Sequence, residues 1–331
     1  MIPPLPVPEE LSGVTLDEFL ALKWPRVAKG ALRRLIQEGS ITVGGMATKP
    51  SLKLRSSDVI LFDVDPGGLK QVPGATFKPT ILYQDEHVVA VNKPAGFPVE
   101  PGRWGEHPVT LTGALLDWAA LDSGPGDMPR RRPRAVHRLD LGTSGVILYA
   151  LDLDSERHFR TCFEKGELDK RYHALALGEV TAESTIDRPL APDPNRGGLM
   201  RINEHGGKAS ITEIKKLKSY RGYTLLECRP RTGRTHQIRA HLASIGHPLA
   251  VDPRYGGRGS LLLSEWKPGY RLAKGRTERP IIERLTLHAA SLEVPNMDGK
   301  LLKIQAPWPK DFRILMSKLD RWRRADSPYS S

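Results

Sequence analysis

Cysteine is nearly absent from this chain of 331 residues, which contains only Cys162 and Cys228. Two thiols exclude the disulfide framework of a small secreted domain and a zinc site built from four cysteines. Residues 1–10 also lack the basic start and the apolar core of a secretory signal, since they are rich in proline and carry two acidic residues. The composition therefore favours a reducing, cytoplasmic location.

Long hydrophobic runs are missing too, because no stretch approaches the roughly 18 apolar residues of a membrane-spanning helix. Acidic residues are too few to balance the basic ones, so the formal net charge is +12 at pH 7. Such a surplus favours a polyanionic partner, either nucleic acid or an anionic membrane surface. Without a hydrophobic span, we expect nucleic acid and no membrane.

Familiar phosphate, zinc and hydrolase motifs are incomplete in this sequence. The segment Gly206-Gly-Lys208 resembles the end of a phosphate-binding loop, but Ile202 replaces its first glycine and Ala209 its hydroxyl residue. His236 and His241 are five residues apart, without the glutamate of a zinc-protease helix. No Gly-x-Ser-x-Gly sequence is present. These gaps argue against a nucleotide-phosphate loop, a metal site and a serine hydrolase.

Apolar periodicity divides the chain into two domains, as its length suggests. Apolar residues at i, i+3 and i+4 predict two short helices near residues 16–20 and 32–36, and strands are expected at 41–43 and 58–65. The domain limits that follow are a flexible leader at 1–12, a small α/β domain at 13–66 and a linker at 67–77.

The larger domain is predicted at 78–315, before a frayed tail at 316–331. Its helices are expected at 154–166, capped by Asp154, and at 235–246. Many strands with few helices between them indicate an α+β domain rather than a doubly wound sheet. The strands are predicted at 80–83, 88–92, 146–151, 172–177, 210–214, 223–228, 285–294 and 301–305.

The segment 23–55 carries eight basic residues against one acidic residue, Glu38. Such a run is either a solvated helix face or the electrostatic footprint of phosphate binding, and composition alone leaves both open. The basic residues are Lys23, Arg26, Lys29, Arg33, Arg34, Lys49, Lys53 and Arg55.

A first polar cluster, His137-Arg-Leu-Asp140-Leu-Gly-Thr-Ser-Gly145, directly precedes the apolar strand predicted at 146–151. The strand can hold an acid in this loop rigidly, or Asp140 and Thr143 can simply bond local amides in a turn. Four upstream arginines would draw a phosphate chain toward the loop. They are Arg130, Arg131, Arg132 and Arg134.

A second cluster, Arg231-Thr-Gly-Arg234-Thr-His-Gln-Ile-Arg239, opens the helix predicted at 235–246. Thr235 or the preceding loop can cap this helix, whose N-terminus favours anions. Arg234 and Arg239 are five residues apart and diverge around the helix, so only one of them easily enters a common site. Two surface salt bridges are the alternative.

Both clusters resemble signature stretches of the RluA-type RNA pseudouridine synthases. The first 65 residues similarly resemble the S4 RNA-binding module, and one departure from the family is Glu100, where relatives often have a histidine. Further segments match the family in its own order, from about residue 80 to 310. They are Asn92-Lys-Pro-Ala-Gly96, Lys170-Arg-Tyr172, Gly246-His-Pro248, Asp252-Pro-x-Tyr255-Gly256 and Leu287-His-Ala289.

The resemblance implies an isomerase that breaks the N1–C1′ bond of a uridine, turns the base and joins C5 to C1′. Asp140 is the implied catalytic carboxylate, which either attacks C1′ or removes the C2′ proton. Arg239 would pair with Asp140, while Tyr172 would stack on the uracil and help to remove the C5 proton. No redox change occurs, so no cofactor or metal is expected. The implied fold is a curved, mainly antiparallel sheet with a central cleft.

The implied partner is structured ribosomal or transfer RNA, bound by a monomer. Arg138 would fill the gap left by an extruded uridine or bind a flanking phosphate, unless it only pairs with a nearby acid. The residues expected to bind RNA are Arg138, Arg33, Arg34, Lys29, Arg130, Arg131, Arg132 and Arg234.

Two alternatives to the enzyme remain open. One is a non-catalytic RNA-binding or ribosome-assembly protein on the same scaffold, and the other is an unrelated hydrolase that uses Asp140. The intact set of Asp140, Tyr172 and Arg239 favours the enzyme.

Overall fold

The computed structural model describes residues 2–72, 77–100, 109–121, 131–273 and 275–324. Its backbone forms two compact units, and neither is a single continuous stretch of chain. The first unit combines Met1–Pro79 with Pro98–Arg134, and the second combines Thr80–Phe97 with Ala135–Ser331.

Three helices and a three-stranded antiparallel sheet make up the described part of the first unit. The elements are β1 (Leu5–Pro6), α1 (Leu16–Lys23), α2 (Lys29–Gln37), β2 (Ile41–Val43), β3 (Val59–Phe62) and α3 (Leu111–Ala120). The strand order is β1-β3-β2, with Leu5 opposite Ile60 and Ile41 opposite Phe62. Both predicted helices and both predicted strands of this region are present. Their buried apolar side chains, including Leu16, form one core.

The predicted flexible leader at 1–12 is wrong. Leu5 and Pro6 form the edge strand β1, and the Val7 amide donates to the Asp58 carbonyl at 3.1 Å. Val7 is only 3% exposed and packs in the core of the first unit. The proline-rich composition concealed a short apolar segment that completes the sheet.

The expected domain limits also need correction, because residues 98–134 belong to the first unit rather than to a domain at 78–315. Helix α3 begins after Thr110, whose side chain accepts a hydrogen bond from the Gly113 amide at 3.0 Å. Ion pairs join this segment to the rest of the unit, one between Arg26 and Asp117 and one between Glu18 and Arg134. The predicted linker thus separates two stretches of sequence but not two folded units.

The second unit contains the remaining twelve strands and three helices. Its helices are α4 (Leu153–Lys165), α5 (Gln237–Ser244) and α6 (Lys310–Trp322). Its strands are β4 (Thr80–Gln84), β5 (Val88–Lys93), β6 (Arg134–Ala135), β7 (Ser144–Ala150), β8 (Asp169–Leu177), β9 (Ser184–Asp187), β10 (Leu190–Pro192), β11 (Met200–Ile202), β12 (Ile211–Tyr220), β13 (Tyr223–Pro230), β14 (Leu287–Pro295) and β15 (Leu301–Gln305).

One ten-stranded sheet dominates the second unit. Its main path is β4-β5-β7-β14-β8-β13-β12-β9, with β15 paired to β14 and β6 to β7, while β10 and β11 form a separate pair. Neighbouring strands are mainly antiparallel, but β7 and β14 run parallel, with Ser144 opposite His288 and Gly145 opposite Ala289. The predicted α+β class with a mainly antiparallel sheet is confirmed.

The cap of helix α4 lies two residues before the predicted one. The side chain of Asp152, not of Asp154, accepts the Ser155 amide hydrogen bond at 2.8 Å, and the Ser155 hydroxyl lies 3.3 Å from the Asp152 amide. Both aspartates precede the apolar face of the helix, and the extended backbone of Asp152 decides which of them caps it.

The predicted frayed tail at 316–331 is wrong for its first part. Helix α6 continues to Trp322, and it buries Phe312, Leu315, Met316 and Leu319 in a core of the second unit. These apolar residues recur at helical spacing within a strongly basic segment, so the charge hid the periodicity. Residues 325–331 lie outside the described part of the chain.

Within the described ranges, no helix is long and apolar enough to cross a membrane.

Candidate active site

The loop that carries Asp140 is fixed by the strand that follows it. The Thr143 amide donates to the Asp140 carbonyl at 3.0 Å, which closes a turn directly before β7. Gly145 then lies so close to β14 that an added Cβ would be 2.1 Å from the Ala289 carbonyl oxygen, and its φ is +118°. Asp140 is therefore held at the start of a fully buried strand.

A buried ammonium group supports the same loop from below. Lys93, at the end of β5, is fully buried, and its Nζ donates to the Leu141, Phe97 and Pro94 carbonyls at 3.2, 2.8 and 3.0 Å. Burial lowers the pKa of Lys93 to about 7, although the negative charge of Asp140 opposes this shift. Lys93 connects the Asp140 loop to the segment after β5.

Arg239, on α5, is held between two carboxylates. Its Nη1 donates to Asp140 Oδ2 at 3.0 Å, and its Nε and Nη2 donate to Asp252 Oδ2 and Oδ1 at 2.6 and 2.9 Å. Burial opposes a charge on Arg239, which is 5% exposed, but the bonds to Asp252 and the charge of Asp140 raise its pKa. The guanidinium is thus charged and rigid, and it aims Asp140.

Tyr172 enters the same site from the centre of the sheet. It lies on β8 between Ala289 of β14 and Cys228 of β13. Burial raises the pKa of its phenol, and the charge of Asp140 raises it further. The hydroxyl therefore remains protonated at neutral pH.

These three residues line one cleft of about 680 Å³, which both sequence clusters form together. Arg138 and Arg234 lie exposed along the cleft, and Arg234 Nε donates to the Ala209 carbonyl at 3.2 Å. Of the predicted site residues, Asp140, Tyr172, Arg239, Arg138 and Arg234 are therefore brought to the same cavity.

The other predicted RNA-binding residues belong to the first unit. Lys29 Nζ and Arg33 Nε pair with Glu18 and Asp17 of α1 at 2.8 and 2.7 Å, so two acids outside the segment 23–55 neutralise part of its charge. Arg34 is exposed.

Of the four upstream arginines, Arg130 lies outside the described residues, and Arg131 and Arg132 are half-buried. Arg134 is buried and paired with Glu18, so it is not placed to attract phosphate.

Comparison with known proteins assigns the chain to a family. A family model described as RNA pseudouridylate synthase matches residues 87–244. The chain is 31% identical over 319 residues to the ribosomal large subunit pseudouridine synthase D of Xanthomonas campestris pv. campestris, covering 95% of the chain and 91% of the relative. A protein of the same name from Zymomonas mobilis subsp. mobilis is 32% identical over 316 residues, covering 94% and 95%. The chain belongs to the RNA pseudouridine synthase family.

A solved structure agrees with this assignment. The human RNA pseudouridylate synthase domain containing 1 superimposes on the synthase with a TM-score of 0.53 and 25% sequence identity. The match covers 72% of the chain and 86% of the human one. The predicted activity, an isomerase that acts on RNA, is thereby confirmed.

Three residues of the synthase site had no predicted role, although their motifs were recognised. Asp252 anchors Arg239, and the Tyr255 ring lies 4.8 Å from the Arg239 guanidinium carbon. His236 Nε2 lies 3.9 Å from Asp140 Oδ1. The sequence indicated these residues only by placing them in the family-like segments 233–239 and 252–256. The spacing of residues along the chain does not show which distant loops contact each other.

Neither Thr235 nor a side chain of the preceding loop caps α5, as one of them was expected to do. His236 precedes the helix with a φ of 53° and no capping side-chain bond, and the Gln237 side chain instead accepts the Arg234 amide at 3.0 Å. The backbone thus turns sharply at His236, which presents its ring to the cleft of the synthase.

Among the described residues, no group of three or more histidine, cysteine, aspartate or glutamate side chains is arranged to hold a metal ion.

Proposed function

We propose that this synthase converts uridines of large-subunit ribosomal RNA to pseudouridine, with Asp140 as the catalytic carboxylate. The observation that carries this proposal is the ion pair between Asp140 and the doubly anchored Arg239 in a cleft that also contains Tyr172. The two relatives named above, both ribosomal large subunit pseudouridine synthases, favour ribosomal over transfer RNA.

The geometry gives the two oxygens of Asp140 different tasks. Arg239 holds Oδ2, so the ionised carboxylate stays oriented while Oδ1 remains available to the substrate. Oδ1 then attacks C1′ as in a retaining glycosidase, or removes the C2′ proton, and either step releases the uracil from C1′. The base rotates, C5 bonds to C1′, and the C5 proton is lost as N1 gains one, so the reaction is an isomerisation.

Tyr172 acts in this scheme as a stacking surface beside the rotating uracil. Its raised pKa keeps the phenol neutral, which suits an aromatic platform and argues against the phenolate that a general base would require. This modifies the expectation that its hydroxyl removes the C5 proton.

RNA reaches the cleft through basic side chains at its rim. Turning a uridine out of a folded RNA costs a few kcal/mol. Arg138, exposed and two residues before Asp140, is placed to fill the vacated space or to bind a neighbouring phosphate, and Arg234 to bind the backbone. We keep the expectation of a monomer, and ribosomal RNA as the substrate favours the cytoplasm.

The first unit serves as an S4-like RNA-binding module in this proposal. Two short helices followed by a small sheet and an excess of basic residues support it. Because Lys29 and Arg33 are already paired with acids, exposed residues such as Arg34 and Lys53 are the ones free to meet phosphates. Arg131 and Arg132 contribute to the same face, and Arg130 is assigned to it on its sequence position alone.

A tritium-release assay tests the proposed function. Transcripts of the large-subunit ribosomal RNA labelled at uracil C5 should lose tritium in the presence of the wild-type protein, and mapping should place the new pseudouridine at defined positions. Asp140→Asn should lower the single-turnover rate at least about 1,000-fold, because neither chemical route can proceed without the carboxylate. Its RNA affinity should be unchanged or higher, since a negative charge is removed.

Asp154→Asn provides the matched control, because Asp154 is an exposed aspartate on α4 away from the cleft. It should react at the wild-type rate. Substantial turnover by Asp140→Asn would remove Asp140 from its proposed role, and wild-type turnover on transfer RNA alone would change the proposed substrate.

A further inference from the structure

One oxygen of Asp140 has no direct partner of its own. Arg239 bonds to Oδ2, whereas Oδ1 faces His236 Nε2 at 3.9 Å, a distance too long for a hydrogen bond. Both side chains line the cleft, and the side chain of Asp140 is 23% exposed. A single small group of the substrate can therefore enter between the two and contact both.

The Tyr255 hydroxyl lies on the other side of the His236 ring. The Met200 amide donates to this hydroxyl at 2.8 Å, and the phenol proton is available for donation to His236 Nδ1 at 3.0 Å. In this arrangement Nδ1 accepts and the proton of the neutral imidazole is on Nε2. The tautomer that this contact favours points an N–H group toward the free oxygen of Asp140.

The charges around His236 keep the ring neutral. Burial lowers its pKa, the carboxylates of Asp140 and Asp252 oppose this shift, and the guanidiniums of Arg239 and Arg254 reinforce it. The cleft therefore presents a neutral N–H donor and a carboxylate acceptor side by side.

The backbone at His236 supports a functional reason for this placement. Apart from glycines, it is the one residue with a positive φ in the part of the chain that the structure describes. Such conformations are disfavoured for a side chain with a Cβ and are concentrated at active sites. Here the turn is what carries the imidazole into the cleft.

A hydroxyl oxygen satisfies both neighbours with a single atom. A uracil carbonyl accepts from Nε2 but cannot donate to Asp140, and an N–H group donates to Asp140 but cannot accept from Nε2. A hydroxyl does both, and RNA carries one on C2′, next to the carbon where the glycosidic bond breaks. In glycosidases, a hydrogen bond to the equivalent hydroxyl strengthens in the transition state.

We propose that His236 Nε2 and Asp140 Oδ1 together bind the 2′-hydroxyl of the target uridine. His236 is then a catalytic residue that makes the reaction depend on ribose at that one nucleotide. This inference rests on the proposed function, since it needs a uridine in the cleft.

A double-mutant cycle tests the proposal. One change removes the 2′-hydroxyl from the target uridine, and the other removes the imidazole ring of His236 from the protein. The substrate is a synthetic RNA hairpin around a uridine mapped in the transcript assay, made with ribose or 2′-deoxyribose at that position only. Wild-type protein should lose about 100-fold in single-turnover rate on the deoxy substrate. His236→Asn should be about 20-fold slower on the ribose substrate, with only about a 5-fold further loss on the deoxy one, because Asp140 still accepts from the hydroxyl.

Asparagine is chosen because it tolerates positive φ better than other residues with a Cβ. Tyr255→Phe is the second variant, since it keeps the ring over Arg239 but frees the imidazole to change tautomer. It should show an intermediate deoxy penalty of about 10-fold. His205→Asn, at an exposed histidine outside the cleft lining, is the matched control and should behave as wild type.

The outcomes separate this inference from the proposed function. An equal deoxy penalty in wild type and in a folded His236→Asn would overturn it, and if that variant does not fold, an unchanged penalty in Tyr255→Phe would do the same. The missing hydroxyl also changes the reactivity of the substrate itself, but this change is the same for every protein variant. It therefore cancels when the deoxy penalty of a variant is divided by that of the wild type. No turnover by wild type on the ribose substrate or on the transcripts would instead reject the proposed function.

Discussion

At the scale of single residues, the Asp140 loop depends on charges that are buried and fully bonded. Arg239 is held by Asp252 through two hydrogen bonds, so its third donor reaches Asp140 from a fixed position. Lys93 is likewise enclosed by three backbone carbonyls. Each charge is tolerated in the interior because its donors are satisfied.

The lowered pKa of Lys93 makes stability depend on pH in a defined direction. The folded chain releases this proton near pH 7, whereas the unfolded chain keeps it to about pH 10. Between these values the unfolded state binds more protons, so the unfolding free energy should rise with pH by about 1 kcal/mol per unit relative to Lys93→Met. Urea titrations of both proteins from pH 7 to 9.5 measure this difference.

Lys300→Met controls for the loss of a lysine, because Lys300 is exposed in the turn between β14 and β15. Its stability curve should run parallel to that of the wild type. Parallel curves for Lys93→Met as well would show that Lys93 stays charged throughout.

The sequence identified Asp140 and Arg239 as partners, but not the residues that hold them. Motif order and the resemblance were enough for the pair, since both lie within recognised segments. The anchoring of Arg239 by Asp252, and the approach of His236 to Asp140, depend on loops that meet only in the folded chain. Residue type alone does not show which aspartate an arginine will select.

At the scale of elements, the parallel contact between β7 and β14 positions the Asp140 loop. Glycine is required at position 145 for two reasons. Its φ of +118° is disfavoured for residues with a side chain, and an added Cβ would lie only 2.1 Å from the Ala289 carbonyl oxygen. Gly145→Ala should therefore cost about 3 kcal/mol or more in unfolding free energy and should reduce activity in the fraction that folds. Thermal unfolding and single-turnover rates measure the two effects.

Gly299→Ala is the matched comparison at this scale. Gly299 also has a positive φ, of 79°, but no atom lies within 4 Å of an added Cβ. Its substitution should cost only about 1 kcal/mol and leave the rate unchanged. Equal losses for the two variants would mean that backbone conformation, not the contact between strands, dominates.

The success of sequence prediction varied between elements for physical reasons. α2 was predicted because its apolar residues form a stripe, and α1 was predicted from the spacing of Leu16, Phe19 and Leu20, although that helix is buried on nearly all sides. α3 was missed because it is apolar on nearly all sides, which leaves no period to recognise. Within 78–315, the assignment of residues 98–134 to the first unit depends on tertiary contacts that no local pattern encodes.

At the scale of the whole molecule, only part of the positive charge behind the net +12 is free to bind RNA phosphates. In the first unit, Asp17 and Glu18 of α1 engage Lys29 and Arg33. Neighbouring arginines on the same helix therefore differ in what they can offer RNA. Arg33 has an ion pair to lose on binding, while Arg34 is exposed.

This difference predicts a contrast in salt dependence. If Arg34 contacts a phosphate, Arg34→Ala should flatten the slope of log K against log salt by roughly 0.7 to 0.9. Arg33→Ala should change the slope less, because Asp17 already balances its charge. Filter binding of a ribosomal RNA fragment from 50 to 300 mM salt measures both, and an unchanged slope for Arg34→Ala would mean that this face is only solvated. Point substitutions suit this test better than removal of residues 1–68, which would take away the partners of residues 98–134.

The pairing of Gly145 with Ala289 also has a consequence for biosynthesis. Ribosomes add about 5 to 20 residues per second, so β14 emerges roughly 7 to 30 seconds after the catalytic loop that it supports. During that interval the nascent chain already contains Asp140, and later Tyr172 and Arg239, but not the strand against which the loop is set. Closing so long a segment is also a slow, high-contact-order step. On the proposed function, activity is therefore gained only after β14 has been synthesised, and a chain released earlier would contain Asp140, Tyr172 and Arg239 without the strand that positions the Asp140 loop.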